Sequence, residues 1–371
     1  MNKLLNFKQE QRGVTAQWWV RLFCVIVVSA LLLCGIFVYY IDPFFHFHKP
    51  QLGLQYTLKT ENQRYQNDGI IRNFEYDAII IGTSLSEFFK TSEMDKLFSC
   101  KSIKVPYSAG SYREISRNLE KALDTHEVKF VVRPLDFNNR LIADKNSESY
   151  ENLPKYLYDD NSFNDVEYLL NKSVIFNEGF DVVKKTITSG KAGITSFDDY
   201  CNWEYSHEFG EKSVADSIGG ERDFESCGKI IHLTSEDVDL LTENVKYNLV
   251  ELANEHPDTQ FYYFFPPQSI VRWGMYNEEG TIERRLEAEQ LAIELMLDVD
   301  NIHLFSFSGH FKWTTDLNCY CDATHYASWI DSDILRLMIE DDGRLTKDNY
   351  LEHIGREREF YSTYSYDSIF D

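Results

Sequence analysis

DAIIIGTSLSEFF, residues 77–89, is the stretch whose reading decides the fold. Ile79, Ile80 and Ile81 are β-branched and apolar at both alternating positions, the pattern of a strand covered on both faces. Gly82 ends the run, Ser84 follows two residues later, and 85–98 is predicted to be a helix. The same order recurs downstream. SIKVPY (102–107) is a strand followed by a helix from a Ser111 cap to Leu123, and VKFVVRPL (128–135) is a third strand. QFYYFFPP (260–267), stopped by Pro266 and Pro267, and NIHLFSF (301–307) are a fourth and a fifth. Before the fourth, Thr234 and Asp237 form a capping-box-like start, and Val238, Leu241, Val245, Leu249 and Leu252 mark one helix face up to Pro257. Further helices are predicted over 282–297 and from Ile334 onward. Apolar strands each followed by an amphipathic helix are βαβ units, so the expected class is α/β with five mainly parallel strands. Residues 140–232 break the rhythm and read as an insertion in one domain covering 76–371. Ligands of such sheets bind beyond the carboxyl ends of the strands.

Outward from this core, LFCVIVVSALLLCGIFVYYI (22–41) is twenty residues without a charge. As a helix it is about 30 Å long, enough to cross a bilayer core. Trp18 and Trp19 precede it and Tyr39 and Tyr40 close it, as interfacial aromatics do. Lys3, Lys8, Arg12 and Arg21 against Glu10 give residues 1–21 a net +3, so the −23 of the whole chain leaves −26 for the rest. The positive-inside bias predicts a cytoplasmic tail (1–21), a transmembrane helix (22–41) whose partner is the lipid bilayer, a membrane-proximal connector (42–75), and an extracytoplasmic domain. A cleaved signal peptide is the rival reading, but the apolar run is longer than an h-region and YYIDPFF lacks a small-residue cleavage site.

Composition removes other classes. A mean hydropathy of −0.39 excludes a polytopic membrane protein, and 43% hydrophobic with 15% aromatic residues excludes a wholly disordered chain. The acidic balance argues against a nucleic-acid partner, which requires a basic footprint. Of the seven cysteines, Cys24 and Cys34 lie in the apolar run, and Cys201 with Cys227 is the expected bridge among the remaining five. Cys319, Cys321 and His325 lack the second ligand pair of a closed zinc site, so no metal or other cofactor is expected.

The candidate chemistry starts at Ser84. A hydroxyl at the end of the first strand sits where amides of the next turn can stabilise negative charge, although serine also caps helices there. A nucleophilic serine requires an oriented base. His325 has Asp322 three residues before it in CDATHY. With ten histidines and sixty acids, one or two such pairs arise by chance, and Asp300 with His303 repeats the spacing. Position separates them: His303 falls inside the fifth strand, whereas His325 lies beyond it. Gly110, after the second strand, and Asn138 or Asn139, after the third, are candidate oxyanion donors, with Asp136 or Arg133 orienting that loop. Trp203, Trp273, Trp313 and Trp329 suit core packing or a sugar platform, core being the default.

Ser84, Gly110, Asn138 and the Asp322–His325 pair at successive sheet-edge loops resemble the SGNH, or GDSL-like, hydrolase superfamily over residues 75–340. The resemblance implies a three-layer, flavodoxin-like α/β domain, Ser84 as nucleophile, Gly110 and Asn138 as oxyanion donors, and Asp322 and His325 as acid and base. The first block departs as GTS, and the third lacks the usual G-x-N-D. YQNDGIIRNFEYDAIIIGTSLSEFFKTSEMDKLF (65–98) and DATHY are similar to a bacterial group of single-span SGNH-like proteins. One anchor before such a domain resembles proteins of the D-alanyl-transfer and alginate-acetylation types. That topology implies a bacterial cell membrane, a glycan or acylated envelope polymer as substrate, and a multispanning O-acyltransferase as partner. Two functions are therefore expected: an esterase or O-acyltransferase using a Ser-His-Asp triad, or a non-catalytic accessory or glycan-binding protein supporting a membrane O-acyltransferase. Phosphodiester chemistry lacks a clustered metal-ligand set.

Overall fold

A computed structural model describes residues 2–137, 140–148, 154–159 and 161–370, with side chains from Thr15 onward. The chain divides into two compact units: Met1–Thr57 with Pro154–Ile194, and Leu58–Leu153 with Thr195–Asp371.

The first unit is built on helix α1, Asn2–Ile41. Its stretch Thr15–Ile41 is long and apolar enough to cross a membrane. The helix begins well before the predicted span because no proline or strong turn signal interrupts the polar residues ahead of it. After Ile41 the chain turns sharply at Asp42, which has a φ of 45°. The Asp42 carboxylate accepts the backbone N–H groups of His46, Phe47 and His48 and the hydroxyl of Tyr168 (2.7–3.0 Å). The start of the expected connector is thereby packed: Phe44 is buried with Val38, Leu157, Tyr168, Val174 and Ile175. Residues 154–194, from within the expected insertion, thus share a core with 1–57. Two short parallel strands, Gln55–Tyr56 and Gly193–Ile194, close this unit.

The second unit holds a mixed α/β arrangement around a sheet. Its strands are β1 (Ala78–Gly82), β2 (Ser102–Pro106), β3 (Phe130–Pro134), β4 (Gln260–Phe265), β5 (Ile302–Ser306) and β6 (Arg344–Leu345). The order is β2-β1-β3-β4-β5-β6, with every pairing parallel except β5 with β6. The expectation of five strands is corrected to six: β6 is two residues long, too short to carry a period, and exists only by pairing with Leu304 and Phe305. Ala78, Ile79, Ile80 and Ile81 have no exposed surface, as a strand covered on both faces requires.

Helices α2 (Gln63–Asn73), α3 (Thr91–Phe98) and α4 (Tyr112–Thr125) accompany the first half of the sheet. Ser111 caps α4 by accepting the Glu114 N–H. Beyond them come α5 (Ser235–Val245), with the Thr234–Asp237 capping box formed, α6 (Ile270–Glu279), α7 (Ile282–Met296), α8 (Ser328–Glu340) and α9 (Tyr350–Thr363). The expected helix over 85–98 is corrected to a 3₁₀ turn, Ser84–Ser86, and the shorter α3. Lys104, fully buried on β2, donates from Nζ to the carbonyls of Glu87 (2.5 Å) and Phe89 (2.8 Å), drawing them out of any helical ladder. The expected Cys201–Cys227 bridge is also corrected, since all seven cysteines are free. Cys201 is buried and accepts from Gln63 Nε2 (3.3 Å), while Cys227 is exposed.

Candidate active site

Strand β1 delivers Ser84 through a close approach only glycine permits. A Cβ on Gly82 would lie 2.7 Å from Cγ and 2.8 Å from Cδ of Pro134 on β3. Thr83 then turns the chain. Its hydroxyl donates to Asp136 Oδ2 (3.3 Å), beyond β3, and accepts from the Leu85 N–H (3.4 Å). Ser84, part exposed, opens the 3₁₀ turn.

The Asp322–His325 loop lies between β5 and α8. It is clamped by an antiparallel bridge between Tyr320 and Tyr326, and the Cys321 N–H donates to the His325 carbonyl (3.1 Å). Ser269, the N-cap of α6, donates its hydroxyl to the Ala323 carbonyl (2.7 Å), and Arg272 Nη2 donates to Thr324 Oγ1 (2.9 Å). Held this way, His325 Nε2 lies 2.8 Å from Ser84 Oγ, and His325 Nδ1 lies 2.6 Å from Asp322 Oδ2. Asp322 Oδ1 accepts the N–H groups of Thr324 (2.7 Å) and His325 (2.8 Å). Burial raises the Asp322 carboxyl, but the His325 hydrogen bond and charge, with the two amides, hold it below the ordinary carboxylate value. An ionised carboxylate at Nδ1 selects the tautomer with its proton there, leaving the Nε2 lone pair for the Ser84 hydroxyl.

The other expected site residues divide. Gly110 is buried, and its N–H donates to the Tyr107 carbonyl (2.7 Å), inside its own turn, so this amide is already engaged. A Cβ there would lie 2.8 Å from the same carbonyl oxygen, which accounts for the glycine. Asn138 and Asn139 lie outside the described residues. Arg133 is buried on β3 and donates to Ser116 Oγ (2.9 Å), while Asp136 accepts from Thr83 and pairs with Arg140 (3.5 Å). His303 sits within β5, bonded to Gln260 Oε1 (2.8 Å) and stacked on Tyr262. Trp273 is buried in the core, whereas Trp329 is about half exposed.

Sequence reasoning missed a second carboxylate beside these residues. Glu87 is 1% exposed, accepts from Gln63 Nε2 (2.6 Å), and is bonded to the Ser108 hydroxyl and the Trp203 indole N–H. Burial pushes its carboxyl upward, against those hydrogen bonds. Trp203 meets the His325 ring edge to face, with centroids 5.0 Å apart. No local pattern marks Glu87, which reads as an ordinary helix-start acid three residues after Ser84. α6 contributes Arg272 and Tyr276 to a cavity of about 270 Å3 that Phe137, Thr281 and Arg285 also line. Among the described residues, Glu289, His353 and Glu357 are the group with metal-ligand geometry. They are engaged in ion pairs, Arg285 with Glu289 (2.5 Å) and His353 with Glu357 (2.8 Å).

Neither a family model nor a curated protein matches the chain. A solved structure from Streptococcus pneumonia, described as a platelet activating factor, aligns over 76% of this chain and 91% of its own, with 11% identity and a TM-score of 0.38. A likeness of that size carries no argument about activity.

Proposed function

We propose that the chain is a membrane-anchored, extracytoplasmic SGNH-like serine enzyme of acyl transfer, acting on an ester of a cell-envelope glycan or related polymer. The observation that supports this reading is the continuous hydrogen-bonded chain Ser84–His325–Asp322, with spacings of 2.8 and 2.6 Å. In the proposed cycle His325 Nε2 takes the Ser84 proton as Oγ attacks the ester carbonyl. The backbone N–H of Ser84 is the candidate donor to the tetrahedral oxyanion. His325 then returns the proton to the departing alkoxide, leaving an acyl-serine, and Asp322 stabilises the imidazolium between the two transfers. Water as second acceptor makes the protein an esterase, and a sugar hydroxyl makes it an O-acyltransferase. The +3 tail and acidic remainder favour a cytoplasmic N-terminus and an outward domain in a bacterial cell membrane.

One observation favours a second reading. With the Gly110 amide engaged by Tyr107, the oxyanion site lacks one expected donor. A non-catalytic accessory protein of a multispanning O-acyltransferase requires no such donor. Treatment of the detergent-solubilised full chain with a fluorophosphonate probe separates the two. The enzyme reading expects labelling at Ser84, lost in Ser84→Ala and His325→Ala. Labelling that persists in Ser84→Ala would place the nucleophile elsewhere.

A further inference from the structure

In the first unit, a surface around residues 163–187 remains unaccounted for by acyl transfer. Phe163, Val166, Leu170, Phe176, Phe180 and Ile187 are between 36% and 94% exposed. An apolar group of this size on one short segment calls for a partner. Three observations indicate which.

The first is continuity with α1. Phe180 packs on Phe37 of that helix (centroids 5.1 Å apart) and stacks in turn on Phe176 (5.7 Å). Gly179 allows this approach, since a Cβ there would lie 2.7 Å from the Phe37 ring. A groove of about 420 Å3 runs between the two segments, with Val28, Leu31, Leu32 and Ile36 on one wall and Val166 and Leu170 on the other. The second is depth. Thr15–Ile41 spans 27 residues, a helix of about 40 Å, roughly 10 Å more than a bilayer core. The charge-free residues 22–41 are the part that fits the core, so the surplus is Thr15–Arg21 at the inner end and Ile41 marks the outer end. Val28, Leu31 and Leu32 lie about 14–20 Å before Ile41 along the axis, so they stand among acyl chains, and Leu170 shares their groove. The third is charge. Residues 161–194 carry four lysines (Lys172, Lys184, Lys185 and Lys191) against four acids, in a chain of net −23. The acidic excess stops where it would meet lipid headgroups.

We propose that residues 163–187 form an interfacial membrane element whose apolar side chains enter the outer leaflet beside α1, and that the groove holds a phospholipid acyl chain. The proposal rests on α1 spanning the membrane, and its test separates the two claims.

The photoreactive residue benzoylphenylalanine is placed singly at Phe176, Leu170, Leu32 or Tyr205 in the full chain. Each variant is reconstituted in vesicles of phosphatidylethanolamine and phosphatidylglycerol, irradiated, and analysed for lipid adducts by mass spectrometry. Phe176 and Leu170 are expected to give adducts at about the level of Leu32 and at least about tenfold above exposed Tyr205. Adducts at Leu32 but not at Phe176 or Leu170 would overturn the inference and leave the span intact. Absence of adducts at Leu32 as well would overturn the span, and the inference with it. Chain-to-chain adducts at Phe176 in place of lipid would assign the surface to a second copy and overturn the lipid assignment.

Discussion

Asp322→Asn tests the chemistry with the least disturbance of the fold. Asp322 Oδ1 accepts two backbone amides and Oδ2 faces His325 Nδ1 at 2.6 Å. Asparagine has the same shape, and the two amides dictate its orientation: its carbonyl must face them, so its NH2 faces the ring. Nδ1 must then accept, its proton moves to Nε2, and Ser84 meets an N–H where it requires a lone pair. The substitution keeps the loop and reverses the tautomer. The expected cost is about four orders of magnitude in acylation, about 5.5 kcal/mol of transition-state stabilisation. The melting temperature should move little, because both backbone acceptor bonds survive. The assay is the second-order rate of fluorophosphonate labelling at Ser84, read beside Ser84→Ala. An Asp322→Asn rate within about tenfold of wild type, with Ser84 still the labelled residue, would refute the reasoning.

Four further outcomes are expected. Gly82→Ala forces a methyl against Pro134, from which its Cβ would lie 2.7 Å, and should lower stability by about 1–3 kcal/mol; an unchanged melting temperature would show that the close approach is not required. Lys104→Met strips the buried carbonyls of Glu87 and Phe89 of their donor, costing about 1–3 kcal/mol for each group left unmet, as thermal unfolding in detergent would read. Burial, with Arg344 nearby, holds the His303 imidazole down to about 4 from an ordinary 6.5. The unfolded chain therefore binds a proton first, and stability should fall as pH drops from 6.5 through about 4; His303→Gln should flatten that slope, and an equal slope in both proteins would exclude His303 as its source. Finally, the full chain should stay with membranes through a high-salt wash and leave them in detergent, whereas release by salt would contradict the span of α1.

The five longer strands were legible to within two residues at each end, because parallel strands buried on both faces are continuous apolar runs. The start of the helix after β1, α3, was not legible. The apolar and helix-favouring residues of 85–98 gave no sign that Lys104, on another strand, would capture the Glu87 and Phe89 carbonyls. β6 escaped for a related reason, since a two-residue strand is made by its neighbour. The Asp322–His325 pair differs from Asp300–His303 in lying beyond β5 rather than inside it, a difference readable from chain order, whereas the direction of the Gly110 N–H, toward the Tyr107 carbonyl, is not written in a loop glycine. Glu87 and Trp203 come from segments 116 residues apart, and no local pattern joins them.

By itself, the sequence determined the α/β alternation, an apolar helix at the N-terminus, and Ser84 and His325 at the same sheet edge. These follow from local period and chain order, because a parallel sheet sends every strand's carboxyl end to one side. The tertiary structure decided the rest: the 2.8 Å contact of Ser84 with His325, the burial of Glu87 against Trp203, the free cysteines, and the pairing of 154–194 with α1 in one unit. Each depends on distances between segments remote in sequence, set by packing that the periodicity of any single segment does not encode.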